Sequence, residues 1–290
     1  MSVVANSGSA PAPARAGRRW RPSSLGGFAV WLMVAFFFIN LIGVVATVVI
    51  DSFGTTWFGT WIPDGFTIDW YGTAWSDFDV FDVLVVTAQV ALTVVALSIL
   101  IGVPAAYALA RRNFPGKKVV NLLFLLPILI PPITYGIPLA TLLYKLGLAG
   151  NIQGVILANL VPTVPFVVLV MIPFIEQIDT KVEAAARMCG AGTTTIFVRI
   201  LGPLLLPGIL AAGILVLVRT VGMFELTFLT SGPGSNTLVV VLYDAVFGAG
   251  IRAPQEVDAM AAIYTASMLV LLLIALRFVN PTQLVTRVAD

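Results

Sequence analysis

The stretch 178–209 reads IDTKVEAAARMCGAGTTTIFVRILGPLLLPGI. It is a long polar break between apolar runs of membrane length, and it combines helix signals with a dense set of small residues. Residues 182–188 are good helix formers, with Glu183 and Arg187 spaced to meet one turn apart. Gly190 and Gly192 end that helix, because glycine tolerates backbone angles other residues resist. Thr193, Thr194 and Thr195 offer a cap for a second helical turn, on which Phe197, Ile200 and Leu201 share one face. Pro203 and Pro207 mark entry into the next apolar run. Ala184, Ala185, Ala186 and Gly190 expose little side chain, so another protein can approach this backbone closely. An ordinary amphipathic loop between two spanning helices explains the same residues, and composition alone does not choose.

Outside this stretch the chain is overwhelmingly apolar. Of 290 residues, 59% are hydrophobic and only 10% charged, and a mean hydropathy of +1.02 belongs to an integral membrane protein, not a soluble domain. The net charge of +2 argues for neither nucleic acid nor an acidic partner. There is no histidine, which removes the commonest general base and metal ligand. The single cysteine, Cys189, excludes an internal disulfide and a thiolate metal cluster, and it reads as a small filler in the loop.

Six spans account for the apolar runs. Residues 1–25, rich in Ala, Pro, Ser and Arg, are expected to form a disordered cytoplasmic tail. The run 26–50 is too long for a signal-peptide core and fits a first transmembrane helix. Residues 51–82 form an extracytoplasmic loop with six aspartates, no Lys or Arg, and Trp57, Trp61, Trp70, Tyr71 and Trp75, suited to a membrane-interface belt or a docking surface. Spans two to six are expected near 83–110, 119–144, 152–175, 208–230 and 259–279, with an amphipathic piece at 237–247. The third carries Pro127, Pro131, Pro132 and Pro138 and is expected to kink or break, which is tolerated at membrane depth where protein or water satisfies the freed backbone. Thirteen of the sixteen Lys and Arg fall in the tail, two inner loops and the C-terminal end, where Arg277 and Arg287 lie. The positive-inside rule therefore places both termini in the cytoplasm.

Ionisable groups inside spans are costly and face protein or water. Arg219 and Glu225 both fall in the fifth run. Six residues apart on one continuous helix, they would point about 240 degrees from each other and not form a pair. Each is satisfied by neighbours or lines a solute path, and Pro131, Pro132 and Tyr135 join them as pathway candidates. No Gly-x-x-x-x-Gly-Lys-Ser/Thr run, Gly-x-Ser-x-Gly elbow or His-Glu-x-x-His motif occurs, so no ATP site, serine nucleophile or zinc-protease site is expected in this chain.

Within 178–209, Ala185, Ala186, Gly190, Ala191, Phe197, Arg199, Ile200, Pro203 and Pro207 fall at the spacing of the EAA loop of binding-protein-dependent ABC importer permeases, which this stretch resembles. Two positions depart. The usual glutamate falls on Ala184, with Glu183 one position earlier, and Gly202 replaces a leucine. The segment AYALARRNFPGKK at 106–118 is similar to a further loop of that family. MFELTFLTSGPGSNTLVVVLY at 223–243 resembles the spermidine/putrescine-type permeases.

The resemblance implies an all-α membrane protein with the type I ABC importer permease fold, a core domain at 83–279 and a coupling loop at 176–207. It further implies an ATPase-coupling surface of Glu183, Ala184, Ala185, Ala186, Arg187, Gly190 and Ala191. The implied partners are a second permease subunit, two ATPase subunits carrying ATP and Mg, and an extracytoplasmic substrate-binding protein. No cofactor is expected on this chain. A secondary transporter would instead predict inverted repeats and midplane carboxylates, and a membrane scaffold would predict indifference to changes in 178–209.

Overall fold

The computed structural model describes residues 25–248 and 252–278. The two tails expected at 1–25 and 280–290 therefore lie outside the described residues, apart from Leu25. The chain divides into two compact units, Met1–Thr47 and Val48–Asp290. In the first unit the described residues belong to α1 (Leu25–Ser52), whose apolar side chains, among them Phe28, Trp31, Phe36, Ile39 and Ile42, are exposed. A helix apolar all round is built for lipid or for helical neighbours.

The second unit is organised on α3 (Val80–Arg111), α6 (Ile152–Glu176) and α9 (Gly202–Val221). Along α3 the buried residues Val83, Thr87, Val90, Ala91, Val94, Ser98, Gly102, Ala106 and Leu109 recur three or four apart. They form a stripe that packs along α6 and α9. The seam between α3 and α6 is close because its residues are small. A methyl added at Gly102 would lie 2.7 Å from the Cγ1 of Val167, and the hydroxyls of Ser98 and Thr163 share a hydrogen bond of 2.8 Å. Asn151 caps α6, accepting from the backbone N–H of Gln153 at 2.9 Å and Gly154 at 3.2 Å.

Among the described residues, five helices are long and apolar enough to cross a membrane: Gly26–Ser52, Val80–Arg111, Ile152–Glu176, Thr193–Val221 and Pro254–Arg277. The expected break in the third run is present. Here α4 (Lys117–Leu129) and α5 (Pro132–Lys145) meet at 98°. Pro131 stands in extended backbone before Pro132, which opens α5, since proline fixes its own φ and pushes its predecessor out of the helical region. Counting that bent pair as one span gives up to six.

The fifth run departs from the sequence expectation. Its helix begins earlier, near Thr193, passes through a π-helical turn at Ile196–Leu201, and ends at Val221. A separate short helix, α10 (Phe224–Thr230), follows. The chain turns at Gly222 and Met223, so the 240-degree separation of Arg219 and Glu225 on a continuous helix does not apply. After α10 comes α11 (Leu238–Phe247), close to the expected amphipathic piece, and then α12 (Pro254–Phe278).

Residues 51–82 are folded. Trp70 donates its indole N–H to the carbonyl of Gly54 at 2.8 Å, and α2 (Asp69–Asp77) packs on α12. Trp61 remains almost fully exposed.

Candidate functional site

The 178–209 stretch forms an elbow. Its first arm is α7 (Thr180–Met188), two residues longer at its start than the sequence suggests, because Asp179 caps it by accepting from the Lys181 N–H at 2.9 Å. Gly190 ends it in the left-handed region, at φ +82°. Gly192, at φ −73°, needs no such freedom and itself precedes the next short helix, α8 (Thr193–Thr195), with no threonine hydroxyl capping that end. Ile196 and Leu201 are buried, and Phe197 and Ile200 pack on the main core.

The two faces of α7 differ sharply. Ala184, Ala185, Arg187, Met188, Cys189 and Gly190 are exposed, while Ala186 and Ala191 are partly covered. Glu183 turns inward and is only 7% exposed. It does not pair with Arg187 as its spacing suggests. Arg111, at the end of α3, approaches it with Nε 3.0 Å from Oε1, and the Tyr107 hydroxyl donates to Oε2 at 2.5 Å. Arg111 Nη2 also donates to the carbonyl of Ile178, and the rings of Tyr107 and Phe197 meet edge to face at 5.5 Å. A local i,i+4 pair at the surface is weak, whereas a partly desolvated guanidinium with two acceptors is a stronger partner.

A second polar constellation lies at the helix breaks. Tyr135 on α5 packs in a small cluster with Ala158, Met223 and Leu226, and both Arg219 and Glu225 act electrostatically on its hydroxyl. The breaks in the third and fifth runs thus bring together three candidates that the linear sequence separates. Arg219 also stacks over Phe166, 5.5 Å from the ring centroid.

Among the described residues, the Tyr135 hydroxyl, Arg219 Nε and Asn159 Oδ1 are buried without hydrogen-bond partners. Buried polar atoms are normally satisfied, so these three set the seam apart from the apolar core around it. Asn159, fully buried on α6, donates to Thr227 Oγ1 of α10 at 3.2 Å. A cavity of about 260 Å³ opens at the bend, lined by Leu126, Pro127, Ile130, Tyr135, Leu139 and Val161. Pro131 and Pro132 shape this bend but do not line the cavity.

Sequence reasoning missed Asn159, Tyr107 and Arg111. An amide inside the run ILANLVP was a usable signal for the first. For the other two no local signal exists, because their partner is more than 70 positions away.

Apolar spans, a solvent-facing elbow of small residues and a polar seam at broken helices define a multi-pass membrane protein of the permease type. Residues 98–283 match the family described as binding-protein-dependent transport system inner membrane component. The chain belongs to that family and is a permease subunit of an ABC importer, a transport component and not a catalytic one.

Its relatives carry different cargo in their names. The molybdenum transport system permease protein ModB of Escherichia coli (strain K12) is 30% identical over 179 residues, covering 56% of this chain and 78% of that protein. The spermidine/putrescine transport system permease protein PotC of the same strain is 28% identical over 267 residues, covering 90% and 93%. The sulfoquinovosyl glycerol transport system permease protein SmoH of Agrobacterium fabrum (strain C58 / ATCC 33970) is 34% identical over 182 residues, covering 62% and 64%.

The fold is shared with a chain of a bacterial ABC transporter involved in import of the acidic polysaccharide alginate, with a TM-score of 0.73 at 18% identity, covering 93% of this chain and 100% of that one. A second structure of an alginate ABC transporter, in complex with an alginate pentasaccharide-bound periplasmic protein, matches with a TM-score of 0.63 at 17% identity, covering 86% and 91%.

Proposed function

We infer that the elbow is the docking surface for a separate ATPase subunit, and that this chain works with a second permease subunit, two ATPase subunits and an extracytoplasmic substrate-binding protein. ATP and Mg are held by the ATPase subunits and no cofactor by this chain. The observation that carries the reading is the outward face of α7. Alanines 184 and 185 and Gly190 present bare backbone to solvent, a surface another protein can approach to within van der Waals contact. Both termini and the elbow are then cytoplasmic, as the distribution of Lys and Arg supports. Closure of the ATPase pair would displace the elbow and turn the helices behind it, exposing the polar seam alternately to the two sides as a rigid-body switch. Copurification tests this: a bound ATPase subunit that is lost on Gly190→Asp supports docking, and its retention by the variant refutes it.

The solute is a small organic molecule, with a polyamine-type cation as the first reading. Glu225 at the seam supports it. So does a pocket of about 350 Å³, on the side of the outer loop, whose lining includes Asp77, Asp79 and Asp82. One observation favours a sugar or polyol as the second reading. The buried Nε of Arg219 has no acceptor among the described residues, and a hydroxyl-rich solute supplies one. Uptake of radiolabelled spermidine into vesicles holding the assembled transporter separates the two, and its absence removes the first.

A further inference from the structure

The carboxylate of Glu183 is directed away from any docking partner, and four contacts fix it and its surroundings to one place, the last helical turn of α3. They are the ion pair to Arg111 at 3.0 Å, the Tyr107 hydroxyl on the other carboxylate oxygen, Arg111 to the carbonyl of Ile178, and the edge-to-face rings of Tyr107 and Phe197. Both ion-pair partners are largely withdrawn from solvent, with side-chain exposures of 13% for Arg111 and 9% for Glu183. Ile178 precedes α7 and Phe197 follows it, so the clamp holds the elbow on both sides of its docking helix.

At its other end the clamp reaches a long rigid element. The 32 residues of α3 pack with small residues against α6 at Gly102 and share a hydroxyl bond with it at Ser98. Farther along, the Thr87 hydroxyl of α3 accepts from the Leu238 N–H at the start of α11, at 2.9 Å. A displacement delivered to α7 is therefore passed to a helix that contacts both α6 and α11. Apart from the clamp, α7 is held by Ala186 against the main core and by its contact with the turn at Ile196–Leu201.

We propose that Glu183, Arg111 and Tyr107 form a positioning clamp that makes α7 and α3 move as one body, so that Glu183 serves force transmission inside the chain and not contact with the ATPase. The proposal rests on the docking reading above and deepens it. A buried ion pair is a demanding interaction: removing one partner strands the other, while replacing both by uncharged residues of similar size is far milder. The test therefore pairs Glu183→Gln with the double variant Arg111→Met/Glu183→Gln.

Spin labels are placed on exposed positions at Lys181→Cys of α7 and Leu92→Cys of α3, in a Cys189→Ala background. The transporter, assembled with its ATPase subunits in lipid nanodiscs, is measured by double electron–electron resonance without nucleotide and with ATP and vanadate. In the parent the distance between labels is expected to change by less than about 2 Å on nucleotide binding, as for one body. In the double variant it should broaden or shift by at least twice that, with the ATPase still bound. An unchanged nucleotide response in the double variant overturns the clamp. Loss of the ATPase from the double variant, in which no charge is stranded, also overturns it, because Glu183 is then a partner contact and docking itself still stands. If no ATPase associates even with the parent chain, the docking reading is what fails.

Discussion

Gly190 offers the sharpest test of the elbow, because its effect there is almost purely conformational. Its φ is +82° and an added methyl would meet no atom within 4 Å, so Gly190→Ala introduces no clash. What remains is the cost of holding an L-residue in the left-handed region, about 1 to 2 kcal/mol. If the free variant relaxes to an unstrained turn while docking requires this one, that cost comes off the docking free energy. At roughly 1.4 kcal/mol per tenfold, the Kd for the ATPase subunit should weaken by about 5- to 30-fold. Two neighbours calibrate the measurement. Gly192 also has open space around it but an ordinary φ of −73°, so Gly192→Ala should leave the Kd within about twofold, a difference of under half a kcal/mol. Asparagine tolerates the left-handed region better than alanine, so Gly190→Asn should fall between alanine and the parent. The assay is titration of purified ATPase subunit onto the permease in nanodiscs. Equal affinities for alanine at 190 and at 192, or a worse result for asparagine than for alanine at 190, would refute the argument.

The α3–α6 seam should be intolerant of volume. Gly102→Ala drives a methyl into Val167 and towards the Val164 carbonyl and is expected to cost about 1 to 3 kcal/mol of unfolding free energy. Gly136→Ala meets only the leucine tips of Leu226 and Leu229 at 3.0 Å and should cost less than about 1 kcal/mol; denaturant titration of the two in one detergent checks the order. Thr87→Val leaves the buried Leu238 N–H without its acceptor and should cost about 1 to 3 kcal/mol, seen as faster hydrogen exchange at the start of α11. Glu225→Gln is expected to lower spermidine uptake by about tenfold, a loss of about 1.4 kcal/mol, while the complex still copurifies; unchanged uptake removes Glu225 from the path.

The span pattern and the third-run break could be read directly because both are written locally. Twenty or so apolar residues in a row, or Pro131 beside Pro132, constrain the backbone wherever the chain folds. The elbow's first helix was legible for the same reason, through its helix formers and Gly190. The fifth run was not, because its apolar content continues smoothly from Leu204 through Leu229 while the chain turns at Gly222 and Met223. An isolated glycine does not announce a break in an otherwise strong helix. The consequence was geometric: two charges that a straight helix would point apart both act electrostatically on Tyr135. Side-chain partners over long sequence separations, such as Arg111 with Glu183 or Thr87 with Leu238, leave no periodic trace at all.

The displaced acid at the elbow follows from the same geometry. One residue along a helix is about 100 degrees around its axis. In the EAA pattern that this stretch resembles the glutamate falls at 184, where this chain has an exposed alanine, and its carboxylate at 183 points into the protein. An inward carboxylate is only stable with a buried cation and a further donor, which Arg111 and Tyr107 supply from α3. On the proposed docking reading, the shift moves one charge from the outward face of α7 to the interior. It leaves that face reliant on shape, with Ala184, Ala185 and Met188 exposed side by side, and gives the interior a link the elbow would otherwise lack.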